Sequence, residues 1–115
     1  SEMCIRDRYS IPYTTHRKYI PDFVHEKKKV LIECKGFFRA GDTQKYTAIQ
    51  ASLKEGWELI FVLSNPSKKV RKGGKINMGE WCEKNNMKHY TLDTAKELTK
   101  YIRGREANVI NIRGT

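Results

Sequence analysis

Ile20-Pro21-Asp22-Phe23, followed by Val30-Leu31-Ile32-Glu33-Cys34-Lys35-Gly36, is the stretch on which the reading of this chain turns. Val30-Leu31-Ile32 is a short, buried-looking apolar run, and Gly36 ends it. In a strand, side chains alternate between faces, so Glu33 and Lys35 share one face while Val30, Ile32 and Cys34 take the other. A hairpin closed by a loop at residues 26–29 pairs His25 with Val30 and sets Asp22 opposite Glu33. Two like charges directly opposed on neighbouring strands are destabilising unless something positive lies between them. A divalent cation meets that need. Asp22, Glu33 and the Cys34 backbone carbonyl form a set of hard oxygen ligands suited to Mg²⁺, which keeps several waters and takes the rest of its shell from a phosphate-bearing substrate. Lys35 then stands beside the attacked phosphate, where an ammonium orients a water or stabilises developing negative charge. The alternative is an ordinary hairpin whose carboxylates face water.

Composition narrows the setting. The chain has 115 residues, enough for one core and little more. Lys and Arg number 23 against 13 Asp and Glu, a formal net charge of +10, which points to an extended polyanion as partner, nucleic acid first. The longest strongly apolar run, residues 59–63, is far too short to span a bilayer, and neither a signal-peptide pattern nor a basic amphipathic helix is evident. No membrane partner is expected. Cys4, Cys34 and Cys82 are odd in number and lack C-x-x-C spacing, which argues against a disulfide framework and a structural zinc site and fits a reducing cytoplasm. His16, His25 and His89 have no metal-ligand spacing, so each reads as surface or core.

Along the chain, residues 9–13 read as an extended arm and residues 19–24 as a strand pairing with residues 30–35. Asp42 is a good N-cap for a helix over residues 42–55, with Tyr46, Ile49 and Leu53 on one face and Gly56 as its stop. Residues 57–64 form a buried strand closed by Asn65-Pro66. Lys68, Lys69, Arg71, Lys72 and Lys75 crowd one loop, which is either a solvated turn or, with Gly73 and Gly74 allowing close backbone approach, a DNA-phosphate grip. A short helix over residues 77–85 buries Met78, Trp81 and Cys82, and residues 87–90 add an edge strand. Thr94 with Glu97 predicts a capping box for a last helix to about residue 102. Trp57 and Trp81 lie inside apolar patterns and read as core. The order predicts an α/β (α+β) fold, a mixed β-sheet flanked by helices, with residues 9–103 as one domain and 104–115 as a polar tail.

These residues resemble phage endonuclease I, the Holliday-junction-resolving enzymes within the nuclease superfamily built on a Pro-Asp…(Asp/Glu)-x-Lys motif. The likeness is carried by Ile11-Pro12-Tyr13, Tyr19-Ile20-Pro21-Asp22-Phe23, Glu33-Cys34-Lys35-Gly36, and Arg71-Lys72-Gly73-Gly74-Lys75 leading into Gly79-Glu80-Trp81-Cys82-Glu83-Lys84. It implies a restriction-endonuclease-like core, Asp22 and Glu33 as metal ligands, Lys35 as catalytic lysine, and Mg²⁺ as cofactor with Mn²⁺ as a substitute. It further implies branched or duplex DNA as substrate, 5′-phosphate products, and a homodimer of domain-swapped type in the host cytoplasm. One departure stands out. The family also uses a catalytic glutamate on a helix ahead of the extended arm, where this chain offers only residues 1–8. Met3-Cys4-Ile5-Arg6-Asp7-Arg8 resembles a translation of the transposon end used to tag sequencing libraries, so the expectation is a lost N-terminus and a core without its first helix. The reading is a Mg²⁺-dependent endodeoxyribonuclease acting on branched DNA. Its alternatives are another nuclease of the superfamily acting on duplex or single strands, and a basic nucleic-acid-binding domain without chemistry.

Overall fold

The turn at residues 26–29 closes a hairpin in the register that the sequence predicts, with His25 opposite Val30, Val24 opposite Leu31 and Phe23 opposite Ile32. The computed structural model of the chain describes residues 11–12 and 18–105. In chain order these hold β1 (Ile11–Pro12), β2 (Lys18–Tyr19), β3 (Phe23–His25), β4 (Val30–Lys35), α1 (Asp42–Ser52), β5 (Glu58–Leu63), α2 (Met78–Lys84), β6 (Lys88–Tyr90), a 3-10 turn (Leu92–Thr94) and α3 (Ala95–Gly104). The expected adapter-like segment, His16 and most of the polar tail lie outside the described residues.

The main sheet runs β3-β4-β5-β6, antiparallel at its first pair and parallel at the other two. Parallel neighbours need a crossover, and α1 and α2 supply the two. Both helices cover the same face. There Leu31, Leu59, Phe61 and Leu63 meet Tyr46 and Ile49 of α1 and Met78, Trp81 and Cys82 of α2 in one apolar cluster. Phe61 is fully buried at its centre, with ring centroids 5.1 Å from Tyr46 and 6.2 Å from both Phe38 and Trp81. α3 lies on the opposite face: Tyr101 donates to Glu58 Oε1 at 2.6 Å, and Lys88 Nζ sits 4.5 Å from the Tyr101 ring centroid. Arg105 closes this side by donating to Glu58 Oε1 at 3.0 Å, to the Gly56 carbonyl at 2.9 Å, and to the Lys28 carbonyl. The α+β architecture with helices flanking a mixed sheet is thus as predicted. Among the described residues no helix is long and apolar enough to cross a membrane.

Local expectations are corrected in four places. Residues 19–24 do not form one strand, because Tyr19 belongs to β2 and pairs with Ile11 in a separate ribbon. Pro21 lacks an N–H and a free φ, so the ladder breaks there and restarts at Phe23. The N-cap of α1 is Gly41, not Asp42: at φ 88° the backbone enters the helix from the left-handed region that glycine tolerates. That helix ends at Ser52, short of residue 55, since Leu53 has already turned extended and packs partly buried against the core. The Thr94–Glu97 capping box is absent. Instead Thr91 and Thr94 cap the 3-10 turn reciprocally, with Thr91 N–H donating to Thr94 Oγ1 at 2.8 Å. The box at α2 is present, Asn77 Oδ1 and Glu80 Oε1 each accepting the other's backbone N–H at 2.8 Å.

Truncating the centre of the aromatic cluster tests this packing. Phe61→Ala should lower unfolding free energy by about 3–5 kcal/mol through lost transfer and cavity terms. Urea titration should read this as a lower midpoint at an unchanged slope. A loss below about 1 kcal/mol would contradict a tightly filled core.

Candidate active site

β4 carries the site on the face covered by α1. Glu33 is 7% exposed, an unusual place for a carboxylate, and needs hydrogen-bond donors there. Two tyrosines provide them. Tyr19, delivered by the β1-β2 ribbon, donates to Glu33 Oε1 at 2.5 Å, and Tyr46, from the first turns of α1, donates to Oε2 at 3.2 Å. The two rings meet edge to face with centroids 6.0 Å apart, so the clamp is packed as well as bonded. Lys35, two residues on and on the same face, holds Nζ 3.9 Å from Glu33 Oε2 and 3.9 Å from Asp42 Oδ2. It also lies 5.2 Å from the Tyr46 ring centroid.

Asp22 arrives from the other side. In the parallel ladder with β5, the odd-numbered residues of β4 bond across, as in Glu58 N–H to the Lys29 carbonyl at 2.9 Å and Ser64 N–H to the Lys35 carbonyl at 3.0 Å. The backbone of even-numbered Cys34 therefore faces β3, which has already ended. Asp22 fills that gap, its Oδ2 accepting the Cys34 N–H at 2.9 Å, and the Cys34 carbonyl is directed to the same side. Asp22, Glu33 and Lys35 thus converge at the open end of β4, as the register requires.

Electrostatics follow from this placement. Burial raises the Glu33 carboxyl above the usual carboxylate range, with Asp22 adding to the rise and the Tyr19 hydrogen bond, Lys35 and Tyr46 opposing it. Tyr19 and Tyr46 are both pushed up, by burial first and then by Glu33, so they remain donors. The Cys34 thiol is raised by burial and by the two carboxylates, which argues against a thiolate nucleophile. Burial holds the Cys82 thiol up at about 12, also inert.

Among the described residues no group of three or more His, Cys, Asp and Glu is placed to hold a metal ion. The donor set at the end of β4 is two carboxylates and one carbonyl. All three are hard oxygens, and the pair carries more negative charge than Lys35, at 3.9 Å from Glu33 and shared with Asp42, offsets. Such a set fits a cation of the Mg²⁺ kind that retains much of its water.

Three contributors are missing from the sequence prediction. Asp42, 9% exposed, reads in the sequence as a helix cap but instead faces Lys35, with Oδ2 also accepting the Arg39 N–H at 2.9 Å. Tyr19 and Tyr46 read there as strand and helix packing residues. A tyrosine in an apolar pattern that buries its hydroxyl requires an acceptor, and the buried carboxylate nearby is the signal that could have found them.

The basic loop forms a small hairpin. Val70 N–H donates to the Ile76 carbonyl at 3.0 Å, Met78 N–H to the Lys68 carbonyl at 2.8 Å, and Gly74 N–H to the Arg71 carbonyl at 2.8 Å. Gly73 sits at φ 76° in its tip. Lys68, Lys69, Arg71, Lys72 and Lys75 are all exposed, and Lys69 Nζ donates to the Lys75 carbonyl at 3.0 Å. Arg71 and Lys72 border a groove of about 410 Å³ whose other wall is Phe38, Arg39 and the start of α1. Arg39, which lines this groove, also donates its backbone N–H to Asp42 Oδ2, the oxygen 3.9 Å from Lys35 Nζ.

Comparison with known proteins adds an independent line. The family model described as phage endonuclease I matches residues 3–103. The endodeoxyribonuclease 1 of Enterobacteria phage T3 is 34% identical over 79 residues, covering 69% of this chain and 50% of that protein. Endonuclease I of Escherichia phage T7 is 32% identical over 80 residues, covering 70% of this chain and 52% of that protein. The chain spans about half the length of these relatives.

Buried Glu33 makes stability depend on pH. Its folded pKa lies above the unfolded value, so its favourable contribution is complete below the ordinary carboxylate range and is lost as pH rises through the folded pKa. Glu33→Gln keeps a carbonyl acceptor for a tyrosine and cannot ionise. With a chelator present, melting curves should show the variant gaining on the parent as pH rises through that window, then holding a constant lead. A lead that shrinks with rising pH would sink this assignment.

Proposed function

Because the chain belongs to the phage endonuclease I family, we propose that it is a Mg²⁺-dependent, structure-selective endodeoxyribonuclease that cuts branched DNA by phosphodiester hydrolysis. The observation that carries the reading is the meeting of Asp22, Glu33 and Lys35 at one end of β4, with Lys35 Nζ 3.9 Å from Glu33 Oε2. In this reading Asp22, Glu33 and the Cys34 carbonyl hold Mg²⁺, with Mn²⁺ able to replace it. When bound, the ion would supply Lewis-acid polarisation of the phosphate.

The chain's own residues do the rest. Tyr19 and Tyr46 fix the rotamer of Glu33, so the carboxylate is presented without reorganisation. Lys35 is held between two carboxylates, which keeps its ammonium at the face where negative charge develops on the phosphoryl oxygens. A water oxygen bonds to phosphorus and gives up a proton while the bond to the 3′-oxygen breaks and that oxygen takes a proton up, which leaves a 5′-phosphate and a 3′-hydroxyl. The exposed cations of the loop bearing Arg71 and Lys72 grip the phosphate backbone and account for part of the +10 charge. By the resemblance, the working unit is a homodimer.

A pure binding domain would have no need of a buried, clamped carboxylate beside Asp22, since positive charge alone attracts DNA. Lys35→Ala, Asp22→Asn and Glu33→Gln should each reduce cleavage of a four-way junction by a factor of about 10² or more and leave gel-shift affinity largely intact. The chain should be assayed alone and extended by the N-terminal segment of a full-length relative, which by the resemblance carries a further glutamate. Wild-type cutting rates in any of the three extended variants would rule out that residue's role.

The loop makes a separate prediction. Replacing both Arg71 and Lys72 with Gln should flatten the plot of log affinity against log salt by roughly 0.9 for each duplex phosphate no longer neutralised, while the melting temperature stays near that of the parent. An unchanged slope would mark the loop as a solvated turn.

A further inference from the structure

Phe37 and Phe38 are consecutive, yet the loop after β4 sends them to opposite sides. Phe38 is 9% exposed and anchors the loop in the aromatic cluster, its ring 5.1 Å from Trp81 and 6.0 Å from Tyr46. That anchor obliges Phe37 to face outward, where it is 51% exposed. The Arg39 guanidinium lies 5.8 Å from the Phe37 ring centroid, within reach of a cation–π contact. Arg39 is also tied to the site, since its N–H donates to Asp42 Oδ2, the oxygen 3.9 Å from Lys35 Nζ. On its other side Arg39 lines the groove of about 410 Å³ that Arg71 and Lys72 border opposite.

An exposed aromatic face beside a cationic groove is the surface that takes single-stranded nucleic acid, bases stacking on the ring and phosphates following the cations. Bases inside a duplex are already stacked on both faces and have none to offer. We propose that Phe37, Arg39, Arg71 and Lys72 form a subsite for a single-stranded DNA segment next to the cut, with an unpaired base stacked on Phe37 and its backbone running between Arg39 and the Arg71–Lys72 tip. This rests on the nuclease reading and adds to it a stacking contact for any nucleotide left unpaired beside the scissile phosphate. The short path from Phe37 through Arg39 and Asp42 to Lys35 sets the stacked base close to the chemistry.

Fluorescence anisotropy of the full chain in chelator tests this without cleavage. The probes are a short single-stranded oligonucleotide, an abasic strand of the same length, and a blunt duplex. Phe37→Ala should weaken binding of the base-bearing strand about tenfold, the scale of one stacking interaction, and leave the abasic strand unchanged. Phe37→Trp should restore it. Arg39→Gln should weaken both strands and lower the salt slope by roughly 0.7 for each single-strand phosphate it ceases to neutralise. Equal losses by Phe37→Ala on both strands, or none on either, overturn the subsite, and so does a loss on the duplex as large as on the base-bearing strand. Junction cleavage by the extended parent in Mg²⁺ is read in parallel. Cleavage without base-dependent loss in Phe37→Ala defeats the subsite alone, whereas base-dependent binding without cleavage defeats the nuclease reading and leaves the subsite standing.

Discussion

A carboxylate buried on the covered face of a β-sheet is the constraint around which this molecule is organised. Glu33 sits where α1 meets β4, in a place suited to a hydrophobic side chain, and an ionised carboxylate there is costly unless its oxygens are bonded and its charge is answered. The answer comes from three separate segments: Tyr19 from the ribbon, Tyr46 from α1 and Lys35 from the same strand. Each must be positioned by its own packing. The ribbon's placement against the sheet, the entry of α1 through Gly41 and the aromatic cluster around Phe61 are therefore parts of one arrangement.

The hydrogen bonds offset only part of the cost. Burial still dominates the raised Glu33 carboxyl, and Asp22 makes ionisation harder. A site that keeps two carboxylates in mutual repulsion, with its one lysine divided between Glu33 and Asp42, has an affinity for further positive charge built into it. A carboxyl raised by burial and by a like-charged neighbour, as Glu33 is, is an arrangement that active sites use. The same arrangement leaves the lysine ammonium at the open end of β4.

Much of this is legible in the sequence because strand periodicity is rigid. With His25 opposite Val30, the alternation of faces puts Glu33 and Lys35 together and brings Asp22 to the same end, and no tertiary information is needed. The mixed sheet follows from the order of apolar runs and helix signals. What stays hidden depends on contacts between distant segments. Tyr19 reads as part of the hairpin strand because local pattern does not reveal that Pro21 diverts the chain into a separate ribbon. Asp42 has the composition of an N-cap, and only the loop conformation around Gly41 turns it toward Lys35. The groove beside Arg71 arises from two loops far apart in the chain that no periodicity links.

Asp22 raises the Glu33 carboxyl, and under the proposed function a divalent cation would relieve that repulsion. The most direct measurement is an NMR titration of the Glu33 carboxyl carbon with and without Mg²⁺, in the parent and in Asp22→Asn. The account predicts a pKa above the usual carboxylate range in chelator, a fall when Mg²⁺ is added, and a fall in Asp22→Asn that Mg²⁺ no longer deepens appreciably. A Glu33 carboxyl that titrates in the ordinary range, or that ignores both Mg²⁺ and the loss of Asp22, would contradict it.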